Sequence, residues 1–171
     1  MANNTGYMRD EVYAFFIRWV YNTGEFSESY HIPGRKPIAT DIDIVTGGAS
    51  RAESVMRGLQ RISDSITHVA IHDAARPLVS PTTISRCIEA CLLYGNAVPC
   101  IEVVDSIRKI NNNTNSSVNR NEFKRIQTPQ CFLVSKIKKA FEQNYLPAYT
   151  DDATVLESIG EKINLVEGNE E

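Results

Sequence analysis

The run Thr67-His68-Val69-Ala70-Ile71-His72-Asp73-Ala74-Ala75-Arg76-Pro77 begins as a β-strand and ends as a binding loop. Residues 67–71 carry the β-branched, apolar character of a buried strand. The next five positions pack an acid, two small residues and a guanidinium together. A strand closing in this way sets a carboxylate and an arginine at its carboxyl edge, where open α/β sheets bind ligands. About twenty residues upstream, Gly47-Gly48-Ala49-Ser50-Arg51-Ala52-Glu53-Ser54-Val55 joins a strand predicted over 42–46 to a helix predicted over 50–62. Its two glycines let a ligand approach the backbone and meet a helix N-terminus. Together the two segments read as a nucleotide site.

The pattern around them alternates between strand and helix. Strands are predicted over 67–71, 97–104 and 162–166, and helices over 50–62, from Ser80 to near Gly95, over 135–143 and over 151–159. Ser80-Pro81 reads as an N-cap with proline at the first helical position, and Gly95 and Gly160 as helix stops. This alternation implies a three-layer α/β fold around a mainly parallel sheet that is incomplete at its N-terminal side. Residues 103–126 break the rhythm. Two polar, β-rich flanks (103–110 and 117–126) surround Asn111-Asn112-Asn113-Thr114-Asn115-Ser116, which reads as the tip of a hairpin arm. A disordered surface loop is the alternative. The domain is expected over 41–171. Residues 1–40 form a divergent segment, with an apolar helix candidate over 12–21 and an irregular linker over 30–37.

Bulk properties exclude several functions. With 171 residues, 42% hydrophobic and 23% charged, the chain can bury one globular core. A net charge of −3 argues against a general polyanion binder. No stretch approaches the ~20 apolar residues of a membrane span, and Met1-Ala2-Asn3-Asn4-Thr5 opens no secretory signal. The four cysteines (Cys87, Cys91, Cys100, Cys131) lack the spacing of a zinc site and suit free thiols of a reducing cytoplasm. His31, His68 and His72 form no metal cluster, and His72 reads as packed rather than catalytic. Ser54 has no His–Asp partner at readable spacing, so a hydrolase triad is set aside.

Seven short motifs then follow in order: Gly-Gly-x-x-Arg-x-x-Ser-Val (47–55), His-Asp-Ala-Ala-Arg-Pro (72–77), Val-Asp-Ser-Ile-Arg (104–108), Val-Asn-Arg (118–120), Gln-Thr-Pro-Gln-x-Phe (127–132), Thr-Asp-Asp-Ala-Thr (150–154) and Leu-Val-Glu-Gly-Asn (165–169). From about Ile44 onward the chain resembles the 2-C-methyl-D-erythritol 4-phosphate cytidylyltransferases and the related ribitol-5-phosphate cytidylyltransferases. The resemblance implies a Rossmann-like nucleotidyltransferase fold that moves CMP from CTP to a sugar-alcohol phosphate with release of pyrophosphate. It further implies Mg²⁺ as the divalent metal and a homodimer joined through the 103–126 arm.

The resemblance also assigns roles. Asp73 would hold Mg²⁺ and reach both substrates, a task that needs one or two carboxylates beside phosphate oxygens; a plain turn-capping aspartate is the alternative. Arg76 would grip phosphate or carbonyl oxygen, or else pair with Asp73. Gly47, Gly48 and Ala74 would lie against cytosine and ribose, and Ser54 would hydrogen-bond the base or a phosphate. Ser106 and Arg120 on the arm would hold the sugar phosphate of the neighbouring subunit, with Thr150 binding it from the same subunit. Thr128 would shape the loop below, or serve only as turn chemistry before a proline. Arg51 reads equally as a site residue and as a solvated first-turn residue, and is left out of the core site.

Two departures accompany the resemblance. Many family members carry an acid where Ala49 stands. Family members also open on a glycine-rich loop, Ala-Ala-Gly-x-Gly-x-Arg, to which Gly34-Arg35-Lys36 is the nearest approach, so the chain reads as a truncated copy. The loss of two or three charge-assisted contacts to the triphosphate predicts turnover roughly a thousandfold below an intact relative. A catalytically inactive interaction module is therefore the competing function, and ribitol 5-phosphate the competing substrate.

Overall fold

The computed structural model describes residues 50–62, 66–73, 76, 78–143 and 149–170. The expected strand over 42–46, the segments over 12–21 and 30–37, Gly34-Arg35-Lys36, Gly47, Gly48, Ala49 and Ala74 lie outside the described residues.

Local signals in the sequence set the helix boundaries. Helix α1 (Arg51–Arg61) starts at Ser50, whose hydroxyl accepts the Glu53 backbone N–H at 3.1 Å. Strand β1 (His68–Ile71) follows. Helix α2 (Pro81–Tyr94) has Ser80 as N-cap, proline in its first turn and Gly95 at φ 84° as its left-handed stop. Strand β2 (Asn96–Glu102) leads into the short strands β3 (Arg108–Asn111), β4 (Thr114–Ser117), β5 (Lys124–Ile126) and β6 (Gln130–Leu133). Helices α3 (Val134–Phe141) and α4 (Asp152–Glu157) and strand β7 (Leu165–Glu167) complete the order.

The fold is the expected α/β sandwich. Strands β1, β2 and β7 share one direction, as strand–helix alternation requires, and β2 pairs with β7 in parallel. One strand was not legible in that alternation. Strand β6 lies antiparallel between β1 and β2, so Ile71 faces Gln130 and Ala97 faces Cys131. Strand β5 continues β6 along the same edge of β2 but in a different register. Cys100 pairs with Ile126, whereas Asn96 pairs with Phe132, so two extra residues are taken up between them. The insertion falls at Thr128-Pro129, a cis peptide, opposite Pro99, which has no N–H to offer the ladder.

Period-two alternation sorts the sheet into two faces. Val69, Ile71, Val98 and Phe132 point to a core shared with α1, α3 and α4. The smaller Ala70, Ala97 and Cys131 point to the opposite face, where α2 packs through Cys87, Ile88 and Cys91. Helix α2 can approach closely because those sheet residues are small. Cys87, Cys91 and Cys131 are at most 2% exposed, and burial pushes the Cys91 thiol up to about 12. A hydrogen bond with Cys87, together with complete burial, raises Cys131, and burial raises the half-buried Cys100. A thiol-reactive chromogen at mildly alkaline pH should therefore label Cys100 alone and slowly, the other three reacting only in denaturant. Rapid labelling of two or more thiols in native protein would contradict this packing.

The arm forms, with a shorter tip than expected. Strands β3 and β4 pair Asn111 with Thr114, leaving Asn112-Asn113 as the turn, with Asn112 at φ 48°. Asparagine tolerates that left-handed backbone, and the polar residues on either side can extend because both faces of this ribbon are exposed. The second flank does not run to 126 as one strand. It breaks at a 3-10 turn over Arg120–Glu122 before β5 rejoins the main sheet.

Beyond β7, the Gln127 side chain clamps the backbone: Nε2 donates to the Asn169 carbonyl at 2.7 Å and Oε1 accepts the Asn169 N–H at 3.1 Å. Gly168 lies between them, and a Cβ there would overlap Gln127 Oε1 and stand 3.2 Å from the Cys100 carbonyl oxygen. Gly168→Ala should therefore break the clamp and cost about 1–3 kcal/mol. Urea denaturation would measure this, and an unchanged midpoint would refute it.

Candidate active site

Three of the motifs meet through the side chains of Gln-Thr-Pro-Gln. Gln127 holds Asn169, as described above. Thr128, 4% exposed, accepts the Asp73 backbone N–H at 3.1 Å and lies 2.9 Å from His72 Nδ1. Gln130, 1% exposed, donates to Asp151 Oδ2 at 2.8 Å and accepts the Ala153 N–H at 2.9 Å. The strand insertion at 128–129 is what lets successive side chains reach three different loops.

The Arg76 carbonyl fixes one proton of His72: it can only accept, and Nε2 lies 2.9 Å from it, so Nε2 donates, while Nδ1 shares a 2.9 Å hydrogen bond with the Thr128 hydroxyl. His72 is thus a buried strut for the 73–76 turn, which closes with Arg76 N donating to the Asp73 carbonyl at 3.0 Å. Thr128 acts as the second strut, through its bonds to Asp73 N and the His72 ring.

Asp73 itself stands at the carboxyl end of β1 with its side chain 37% exposed. Its two oxygens each face a guanidinium: Arg51 Nε at 3.5 Å from Oδ1 and Arg76 Nε at 3.8 Å from Oδ2. Arg76 does pair with Asp73, but loosely. Sequence reasoning left Arg51 out of the core site, whereas it lies at the centre. Its Nη1 and Nη2 donate to Asp152 Oδ1 and Oδ2 at 2.9 and 2.6 Å, a bidentate pair with a carboxylate that is 0% exposed. Burial works against the charge on Arg51, yet Asp152 and Asp73 outweigh it and hold the guanidinium protonated above its ordinary range. Burial pushes the Asp152 carboxyl up, against the pull of Arg51. The signal was present in the sequence, as the arginine of Gly-Gly-x-x-Arg and the second acid of Thr-Asp-Asp. An exposed first-turn arginine and a buried one look alike in a single sequence.

The other expected residues are placed less centrally. Ser54, in α1, is buried, and its hydroxyl donates to the Ser50 carbonyl at 2.9 Å. Thr150 is exposed, immediately ahead of Asp151, which caps α4 by accepting the Thr154 N–H at 2.9 Å. Ser106 and Arg120 are exposed at the base of the arm, where Arg120 donates to the Val104 carbonyl. Among the described residues, no group of three or more His, Cys, Asp or Glu side chains comes together as a metal cage. A hard divalent cation at Asp73 would thus draw most of its ligands from substrate phosphates and water, a donor set that Mg²⁺ accepts.

A three-layer α/β sheet with a carboxylate and two arginines at the carboxyl edge of β1 belongs to the Rossmann-like class of folds, which bind their ligands at that edge. More particularly, the chain belongs to the IspD family, 2-C-methyl-D-erythritol 4-phosphate cytidylyltransferase, whose model matches residues 16–171. That match reaches further towards the N-terminus than the motifs, which begin near Ile44. The 2-C-methyl-D-erythritol 4-phosphate cytidylyltransferase of Bacteroides fragilis is 41% identical over 128 residues, covering 75% of this chain and 58% of that protein. The protein of that name from Phocaeicola vulgatus is 38% identical over 147 residues, covering 86% of this chain and 64% of its own. The chain thus spans about three fifths of the length of these curated relatives. The crystal structure of the Thermus thermophilus 2-C-methyl-D-erythritol 4-phosphate cytidylyltransferase superposes with a TM-score of 0.68 at 32% identity, covering 81% of this chain and 69% of that one.

Proposed function

We propose that this chain transfers CMP from CTP to 2-C-methyl-D-erythritol 4-phosphate, a step of isoprenoid precursor synthesis. The observation that carries the reading is the convergence of Arg51, Asp73, Arg76 and Thr128 at one sheet edge, within a chain of this family. In the reaction, an oxygen of the sugar phosphate attacks the α-phosphorus of CTP. A new P–O bond forms, the bond to the β-phosphate breaks, and pyrophosphate leaves. Such transfer needs positioning and neutralisation of charge more than covalent chemistry. Arg76, 33% exposed beside Asp73, would meet phosphate oxygens. Asp73 would hold Mg²⁺, which when bound screens the triphosphate charge. Gly47, Gly48, Ser54 and Ala74 would line the base and ribose side, and Thr150, Ser106 and Arg120 the sugar phosphate. Four unpaired cysteines suit the reducing cytoplasm, where CTP is made. Among the described residues, no helix is long and apolar enough to cross a membrane.

The test is pyrophosphate release from CTP with Mg²⁺, comparing 2-C-methyl-D-erythritol 4-phosphate with ribitol 5-phosphate. Faster release with the methylerythritol phosphate is expected. No release with either, under conditions where a curated relative turns over, would instead make this chain a binding module.

The arm supports a homodimer. Ile110, 68% exposed, stands on a ribbon that forms its own two-stranded sheet, and Val104, 60% exposed, lies in the segment that leads into it. If the arm reaches a second subunit, Arg120 serves the partner's site. Mixing Asp73→Ala chains with Arg120→Ala chains should then restore about a quarter of the wild-type rate by random pairing. No recovery would place each site within one subunit.

A further inference from the structure

We propose that Asp152 acts as a positioning residue that keeps Arg51 from neutralising Asp73, and so keeps the Asp73 carboxylate available to a divalent cation. This rests on the functional reading above. Arg51 lies between two carboxylates that differ in burial: Asp152 is fully buried and Asp73 is 37% exposed. A guanidinium offers an end-on fork from its two Nη atoms and a side-on pair from Nε and Nη2, and here the end-on fork is taken by Asp152 at 2.9 and 2.6 Å. What remains for Asp73 is a single long contact from Nε, at 3.5 Å. The arrangement is directional because the buried acid, shielded from water, is the stronger competitor for the fork. Arg76 adds only a 3.8 Å contact on the other oxygen. Asp73 therefore has two cations near it and is captured by neither.

Asp152 is held in turn by α4 and, through its cap, by β6. It sits at the first position of α4, and the N-cap Asp151 is tied to β6 through Gln130. Remove the Asp152 charge, and the fork is free to close on Asp73, which a metal would then have to displace. Remove both charges, and Asp73 loses a competing cation altogether. The two changes should thus move metal binding in opposite directions, which a purely structural brace would not do.

The test is Mn²⁺ binding to the full chain in the presence of CTP, read by the electron paramagnetic resonance of free Mn²⁺. Asp152→Asn should weaken Mn²⁺ binding about five- to tenfold. The double variant Arg51→Gln/Asp152→Asn, which keeps a neutral hydrogen-bonding pair in the same space, should bind at least as tightly as wild type. Equal weakening in both variants, or no change in Asp152→Asn, would overturn the proposal while leaving the functional reading intact. Should Asp152→Asn fail to fold, the double variant decides alone, and weaker binding than wild type overturns the proposal. Wild-type protein that retains no Mn²⁺ with CTP would overturn both.

Discussion

Replacing Asp73 by asparagine should lower the rate of pyrophosphate release by about a thousandfold or more, while the folded protein keeps its stability. The two halves of that expectation come from different parts of the geometry. On the chemical side, Asp73 is the exposed carboxylate at the β1 edge, and asparagine cannot supply the negative oxygen a hard cation needs. An electrostatic contribution of that kind is commonly worth about 3–4 kcal/mol in the transition state, which is two to three decades in rate. A further loss in metal affinity adds to it at limiting Mg²⁺. On the structural side, the carboxylate's ion pairs are long, 3.5 and 3.8 Å, and a third of the side chain meets water. Pairs of that kind contribute little to folding. The backbone bonds that hold the turn, from Asp73 N to Thr128 Oγ1 and from Arg76 N to the Asp73 carbonyl, survive the substitution. A variant keeping more than a tenth of wild-type activity would return Asp73 to a turn-capping role. Equal losses of rate and melting temperature would point to the loop rather than the chemistry.

The contrast between Asp73 and Arg51 shows what one sequence can and cannot give. Asp73 was legible because it ends a strand, and a strand's carboxyl edge is a place that strand–helix alternation alone identifies. Helix boundaries were legible for the same local reason: Ser80, Pro81 and Gly95 act through bonds within four residues of themselves. Arg51 was not, because its partner lies 101 residues away and its burial depends on where α4 docks. Strand β6 was missed on similar grounds. Its residues Gln130-Cys131-Phe132-Leu133 show apolar character in an interval too short for periodicity to register, and only pairing with β1 and β2 makes them a strand. The Gln-Thr-Pro-Gln motif was visible as a motif, but its purpose was not. Thr128 alone had a reading, as loop support or turn chemistry, and the two glutamines gain theirs only when the strand insertion turns them inward against separate loops.

That inward turn sets the largest expected effect on stability. Gln130→Leu should lower stability by about 3–5 kcal/mol. The substitution removes a hydrogen bond to an ionised acceptor, from Nε2 to Asp151 Oδ2 at 2.8 Å, and orphans the Ala153 N–H, which now donates to Oε1 at 2.9 Å. The first loss is worth about 1.5–3 kcal/mol and the second, in a buried setting, about 1–3 kcal/mol. For a chain of this length that amounts to a melting temperature lower by roughly 10 °C. Gln130→Glu separates the two contributions. A glutamate fills the same volume and can still accept from Ala153 N, but it brings a second carboxylate to within hydrogen-bonding distance of Asp151, inside a site 1% exposed at this position. Like charges so close, and away from water, should make Gln130→Glu about as damaging at neutral pH as Gln130→Leu, despite its better fit. Thermal unfolding of the two variants side by side measures this directly. A Gln130→Glu protein as stable as wild type would mean that the amide's orientation towards Asp151 is wrong, and with it the account of how β6 holds α4, Asp152 and the arginine beside Asp73.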